Sequence, residues 1–309
     1  MHYGKRDYIG MNITITGSNG NLGTHLMRHL ADYHPYGVTS KAYDLRREAH
    51  IDALFKHAQP DIIFHLAANV GGIQYNLDNA GSLFYDNVMM NTQLIHKALL
   101  NGVSKFIMVG TVCSYPAFPP LPTNEAQFWT GYPEPSNGAY GISKLVALEQ
   151  LQAYQRQYSF NFAYPVLSNL YGPGEAFNER KSHVIPALIK RFLAKPEVVT
   201  IWGDGTPTRD FLYVEDACQA LSRFIEVDCS EPINIAGGQE ISIKSIVNLL
   251  AKMTSFEGKI EYDTSKPNGQ LRRSYDISKA KKILGWQPET KFEDGLKRTV
   301  HANYHNDQR

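Results

Sequence analysis

A doubly wound α/β fold of the Rossmann type, with a parallel sheet and a smaller C-terminal α/β lobe, is predicted by three observations. Short apolar runs alternate with longer stretches of helical period over the first two-thirds of the chain. The first apolar run opens straight into a glycine-rich turn. After Tyr171 the texture changes to Pro- and Gly-punctuated segments such as YGPGEAFN and WGDGTPTRD.

In chain order, residues 12–16 (NITIT), 37–43, 61–66 (DIIFHL), 105–110 (KFIMVG) and 161–167 (NFAYPVL) are rich in β-branched and aromatic residues and read as strands. Residues 22–34, 51–57, 83–100 and 140–158 read as the helices between them. Crossovers of one hand then set the C-terminal ends of the strands along one edge, where ligands bind in such folds. Near residue 214 the chain reads as a helix and then a strand, VEDACQALSRFIEV followed by PINIAG, which predicts a return to the first domain. The expected division is a dinucleotide-binding domain at 11–172 with a return at about 213–237, a lobe at 173–212 and 238–309, and an extension at 1–10.

The 309 residues are enough to bury a sizeable core without disulfides, and the three cysteines, Cys113, Cys218 and Cys229, form no CxxC pair. A formal net charge of +1 with 20% charged residues gives no field suited to nucleic acid or to an anionic membrane. No apolar run reaches the roughly 18 residues of a membrane span, and the polar first ten residues lack the apolar centre of a signal peptide. A cytoplasmic protein with small-molecule partners is expected. No metal is expected either: His25 with His29, and His301 with His305, have helical ligand spacing but no acidic third ligand, and read as solvated helix faces.

Gly17-Ser18-Asn19-Gly20-Asn21-Leu22-Gly23 lies between the first strand and the first helix. Its glycines let the backbone turn and approach a pyrophosphate, and the helix start offers free N–H groups. Ala67 and Ala68, after Leu66 at the end of another strand, leave room for a cofactor lying across the sheet edge. After the second strand an acid favours NAD and a base NADP; Lys41 and Asp44 offer both, so the choice is open.

Tyr140 and Lys144 are four residues apart on a predicted helix and therefore share a face. A phenol beside an ammonium suits proton transfer, the charge favouring the phenolate. Thr111 ends a strand upstream and puts a hydroxyl at the same edge, within reach of a reacting oxygen.

These residues resemble the extended short-chain dehydrogenases, and further segments narrow the match. Asn69-Val-Gly-Gly-Ile73, Tyr140 to Lys144, Asn169-Leu-Tyr-Gly-Pro173, Ser182 to Leu188 and Trp202 to Phe211 are similar to the GDP-L-fucose synthase branch, in its order, from about residue 12 to about residue 296. The resemblance implies an NADP-dependent oxidoreductase and isomerase, with NAD an alternative. Its expected substrate is GDP-4-keto-6-deoxy-D-mannose, epimerised at the two carbons flanking the ketone and then reduced at it. A ketone acidifies both neighbouring carbons, and the resemblance assigns the acid and base to Cys113 and His183. It gives Tyr140 the proton for reduction, Lys144 the ribose and the support of the phenol, and Thr111 the reacting oxygen.

Further cofactor contacts implied are Leu167, Asn169, Leu170 and His183, besides the glycine turn and Leu66, Ala67 and Ala68. Implied substrate contacts are Val70, Gly71, Asn169, Arg191, Trp202, Arg209, Asn268 and Arg273; the arginines suit a diphosphate because their planar donors bind two oxygens. A homodimer through the helices near 83–100 and 145–158 is expected on the same ground. The chain departs from the branch in three places. Thr111 replaces the usual Ser, Ser18 and Asn19 stand in a turn that often carries an Arg for the NADP phosphate, and Asn268 replaces an acid. The last two leave the cofactor open between NADP and NAD, and leave as alternatives an epimerase and/or reductase of a related GDP-4-keto sugar, a dideoxy sugar or heptose, and a non-catalytic NAD(P)-binding sensor.

Overall fold

The computed structural model describes residues 10–175, 184–266, 268 and 270–306. Its elements are β1 (Ile13–Thr16), α1 (Asn21–His29), β2 (Tyr36–Val38), α2 (Glu48–Ala58), β3 (Ile62–His65), α3 (Ile73–Asp78), α4 (Ala80–Leu100), β4 (Lys105–Met108), β5 (Gly110–Thr111), α5 (Gly138–Tyr158), β6 (Phe162–Leu167), β7 (Asn169–Tyr171), α6 (Val184–Leu193), β8 (Val198–Trp202), β9 (Thr208–Tyr213), α7 (Val214–Glu226), β10 (Pro232–Ile235), β11 (Glu240–Ser242), α8 (Ile243–Met253), β12 (Lys259–Asp263), α9 (Ser278–Leu284) and α10 (Phe292–Asn306).

The main sheet is parallel throughout, in the order β10-β6-β4-β3-β1-β2, with β5 continuing beside β6. It is a doubly wound Rossmann-like sheet, and its order reverses between β1 and β3, which opens a crevice at their C-terminal ends. Successive side chains go to opposite faces, so both faces must be apolar. Ile63, Phe106, Met108, Phe162 and Tyr164 meet α2, α4 and α5 on one face. Ile13, Ile15, Phe64, Ile107 and Ala163 meet α1, α7 and α9 on the other.

The second strand is shorter than predicted and stops at Val38. Both Ala42 and Tyr43 donate their N–H groups to the Thr39 carbonyl, so the chain turns instead of extending. The first helix ends at His29, with Ala31–Tyr33 a separate 3-10 turn. Residues 278–286, which the sequence places in the lobe, lie on the sheet: Ala280, Leu284 and Trp286 share a core with Ile233 and Ile235. Short α9 buries Ala280 and Leu284 there.

Strand β10 pairs with β6 and helix α7 packs on the same sheet, and a buried lysine fastens the helix end there. Lys105 Nζ donates to the Phe224, Ile225 and Val227 carbonyls at 3.1, 3.2 and 3.0 Å and meets Asp228 at 2.9 Å. The last carbonyls of a helix have no partner within it, and a cation there also meets the favourable end of the dipole. Lys105→Met is expected to cost about 3 kcal/mol, read as a lower urea midpoint, because three buried carbonyls lose a charged donor.

The lobe has a third core, in which α6, α8 and α10 pack on Val199, Ile201, Phe211 and Tyr213. Its strands form two small sheets, β11-β9-β7 and β12-β8. Among the described residues no helix is long and apolar enough to cross a membrane.

Candidate active site

The glycine turn sits at the crevice. Gly17 has φ +70°, and a Cβ there would lie 2.9 Å from the Ala67 nitrogen, so the end of β1 touches the end of β3 directly. A Cβ on Gly23 would fall 2.2 Å from the Gly17 carbonyl oxygen, which lets α1 start flush against the turn. Gly20 precedes α1 with no side chain satisfying the first N–H groups. The buried Asn21 Oδ1 has no hydrogen-bond partner either. A concave backbone, free N–H groups and a positive helix end fit a nucleotide pyrophosphate. His25, expected on a solvated face, is instead buried, its Nε2 2.9 Å from the Pro173 carbonyl oxygen. It therefore ties the YGPG segment to α1.

Next to this turn the fourth strand is interrupted. β4 ends at Met108 and β5 begins at Gly110, leaving the Val109 carbonyl outside the described ladder, and Lys144 Nζ donates to it at 2.9 Å. Gly110 has no room for a side chain, since a Cβ would lie 2.3 Å from the Tyr164 ring, whose hydroxyl donates to the Lys144 carbonyl at 2.9 Å. Thr111 Oγ1 accepts the Cys113 N–H at 3.2 Å and so caps the 3-10 turn Val112–Ser114. Its own hydroxyl proton remains available for an oxygen in the site. Gly141 lets α5 close on that turn: a Cβ would be 2.3 Å from the Cys113 carbonyl oxygen, and Ser114 Oγ donates to the Gly141 carbonyl at 2.9 Å. Thr111, Cys113, Tyr140 and Lys144 are thus held together by backbone contacts at one sheet edge.

The electrostatics correct one expectation. Lys144 does not bring the phenol down in the chain by itself; burial raises the Tyr140 hydroxyl well above its ordinary value, and the nearby Cys113 raises it further. Burial lowers the Lys144 ammonium to about 7, with its Nζ 5.9 Å from the Tyr140 ring centre. Low dielectric disfavours each charged form. A lysine whose folded value lies below its unfolded one leaves the unfolded state holding more protons between the two. Stability from this group therefore rises with pH from about 7 and is depressed below it. Lys144→Met is expected to gain melting temperature over the parent at pH 6.5, and the gain should shrink toward pH 10.

Of the three cysteines only Cys113 is partly exposed; the other two are buried, and burial pushes Cys218 up to about 12 and Cys229 up to about 11. His183, its expected partner, lies outside the described residues.

The remaining sequence-derived residues fall into groups. Leu167 is packed in the core beneath the crevice, and Leu66 and Leu170 border the same core. Asn169 Nδ2 donates to the Asp210 carbonyl at 3.0 Å. Gly71 N–H donates to Asn76 Oδ1 at 3.0 Å, and a Cβ on Gly71 would strike the Tyr75 ring, so Val70 and Gly71 form a closely packed bend. Arg209 donates to the Thr208 and Gln270 carbonyls at 2.8 and 2.7 Å, and burial, then the neighbouring Arg273, lowers its pKa. Arg273 donates to Gln270 Oε1, and to Glu134 at 3.3 Å. Arg191 donates to the Thr200 carbonyl at 3.1 Å, two residues before the exposed Trp202. Asn268 Oδ1 accepts the Asp204 N–H at 2.9 Å and so braces the loop after Trp202.

Lys41 is exposed, but Asp44 is engaged by Arg46, whose Nε and Nη2 each reach it at 2.9 Å and hold its carboxyl at about 2. Arg46 also donates to Asp86 at 3.0 Å, which in turn accepts Asn69 Nδ2 at 3.0 Å. Sequence reasoning missed Arg46 and Asn87, which binds both the N–H and the carbonyl of Asn69, at 2.9 and 2.7 Å. A signal existed for the latter: Asn87 and Asn91 lie four apart on the otherwise apolar buried stripe of α4.

The chain is similar to known proteins. Residues 13–236 match the model of the NAD dependent epimerase/dehydratase family. GDP-L-fucose synthase 1 of Arabidopsis thaliana is 35% identical over 298 residues, 93% of this chain and 91% of that one. A GDP-6-OMe-4-keto-L-xylo-heptose reductase from C. jejuni superposes with a TM-score of 0.88 at 26% identity, covering 97% of this chain and 98% of that one. A GDP-L-fucose synthetase from Naegleria fowleri bound to NADP gives 0.85 at 27% identity, covering 99% of both.

Proposed function

The chain belongs to the NAD dependent epimerase/dehydratase family, and from that premise we propose that it converts GDP-4-keto-6-deoxy-D-mannose to GDP-L-fucose with NADPH, by 3,5-epimerisation followed by reduction of the 4-ketone. The observation that carries this reading is the joining of Cys113 to Thr111, Tyr140 and Lys144 at one edge: a reductase needs the last three, and the thiol adds a group able to carry a carbon-bound proton.

The cradle at Gly17, Gly20 and Gly23 would hold the pyrophosphate of the nicotinamide cofactor, with Ala67 and Ala68 beside it. When bound, the cofactor supplies the hydride. The protein's own part is proton traffic. Cys113, with His183, would remove and return protons at the carbons flanking the ketone, through an enolate whose oxygen the Thr111 hydroxyl and the Tyr140 phenol can hydrogen-bond. Tyr140 would then give its proton to the oxygen as the ketone is reduced. Its raised pKa keeps that proton in place until an oxyanion develops, and Lys144, 5.9 Å from the ring centre, would stabilise the phenolate left behind. Arg191, Arg209 and Arg273 would hold the diphosphate and Trp202 the base, with Asn169, Val70, Gly71 and Asn268 lining the sugar side. We place the enzyme in the cytoplasm, as a homodimer.

A second reading, a reductase or epimerase of a related GDP-4-keto sugar, is favoured by one observation: Asn268 spends its oxygen on the Asp204 N–H and offers no charge. Its likeness to the C. jejuni heptose reductase points the same way. Incubation with GDP-4-keto-6-deoxymannose and NADPH or NADH in heavy water separates the two. Cofactor oxidation with deuterium at both flanking carbons is the expected result. Oxidation without deuterium would leave a reductase alone, and no turnover with either cofactor would sink the sugar assignment.

A further inference from the structure

Behind the crevice, a buried chain of hydrogen bonds joins the two halves of the site. The Ala67 N–H donates to Thr16 Oγ1 at 3.2 Å, and Thr16 Oγ1 lies 2.7 Å from His65 Nδ1. His65 Nε2 lies 2.9 Å from Asn91 Oδ1, and Asn91 Nδ2 reaches the Ser143 carbonyl at 3.5 Å. Thr16, His65, Asn91 and Ser143 are all at most 1% exposed.

One set of donor and acceptor roles satisfies the whole chain. The Asn91 amide nitrogen points at a carbonyl, so its oxygen faces the ring and His65 must donate from Nε2. Nδ1 is then an acceptor, and the Thr16 hydroxyl donates to it. Both ring nitrogens are spent, and the imidazole stays neutral: burial, and then the Lys144 charge, bring it down to about 3. Thr16 directly precedes Gly17, and Ser143 directly precedes Lys144.

We propose that His65 is a positioning residue that, through Thr16 on one side and Asn91 on the other, sets the spacing between the cofactor turn and the catalytic helix. The proposal rests on the reading of those two elements given above. Thr16 and His65 are direct partners across β1 and β3, and Asn91 on α4 carries the buried chain on to α5, beside the bond from Lys144 to the Val109 carbonyl. Loss of one link should let turn and helix drift apart by a fraction of an ångström, and a displacement of that order is enough to slow a reaction held in near-attack geometry.

The test uses full-length protein carrying Thr16→Val, Asn91→Leu or both, with His65→Gln as a further variant, each first shown to melt cooperatively. NADPH affinity is measured by fluorescence without any sugar, and cofactor oxidation in a single turnover is measured with GDP-4-keto-6-deoxymannose at saturating cofactor. Each single substitution should weaken NADPH binding or slow oxidation by roughly ten-fold, and the double should be no worse than about the larger single, because either change cuts the same chain. His65→Gln, which keeps a donor toward Asn91 and loses the acceptor for Thr16, breaks the same link as Thr16→Val and should match its effect on affinity and rate. Fold-effects that multiply, a lower melting temperature with unchanged affinity and rate, or a His65→Gln effect unlike that of Thr16→Val would each overturn the proposal. Failure of the parent protein to bind either nicotinamide cofactor would instead overturn the reading on which it rests.

Discussion

Tyr140→Phe is expected to lower cofactor oxidation by about a thousand-fold while leaving deuterium exchange at the sugar carbons measurable. In the proposed mechanism the phenol gives its proton to the ketone oxygen. The Thr111 hydroxyl can hydrogen-bond that oxygen but is too weak an acid to give up its proton, and the Tyr164 hydroxyl is turned away onto the Lys144 carbonyl. Removing one oxygen atom leaves the packing of α5 intact, because Gly141 and Ser114, not the phenol, dock that helix on the 3-10 turn. The measurement is a single turnover followed at the nicotinamide absorbance in parallel with mass analysis of the sugar in heavy water. Equal loss of both signals would mean that Tyr140 serves the carbon protons as well, and an unchanged oxidation rate would remove it from the mechanism.

Cys113→Ala is expected to have the complementary outcome, a loss of at least about a hundred-fold in deuterium exchange, with reduction of an already epimerised 4-keto sugar nearly unchanged. The thiol is the one sulfur of the three with access to the site, and the backbone of residue 113 already makes its structural contacts through N–H and carbonyl. Alanine preserves both. Exchange that persists at full rate would transfer the epimerase role to another group.

Much of this fold was legible because its signals are local. The run from residue 12 to 23 carries a strand, a glycine turn and a helix start within one unbroken stretch, and the Tyr140–Lys144 spacing needs only the helical period. The return through α7 and β10 showed itself in the same way. The second strand was overextended because β-branched and aromatic residues continue past Val38, while the turn at Thr39 depends on backbone bonds no pattern announces. The brace of Arg46, Asp44, Asp86 and Asn69 joins residues 40 apart in sequence, and the Thr16 to His65 contact joins residues 49 apart. Such pairs exist only once the sheet has brought its strands together. The sign of the Tyr140 shift was missed for the same kind of reason: spacing shows that a lysine is near, but only the packed structure shows how little water remains.

The lysine that fastens the return of the chain also decides where the molecule can be cut. A fragment ending before Val214 would keep the glycine turn and the Tyr140–Lys144 pair. It would also strip α7 and α9 from the face of Ile13, Ile15, Phe64 and Ile107, leaving α1 alone to cover it, and take away the three carbonyls that the Lys105 ammonium meets. The first domain is therefore not a transplantable module. Its far edge is made by residues that follow the first part of the lobe, so a chimera that exchanges lobes between relatives must carry the segment from α7 through β10, and α9 with it, as part of the recipient.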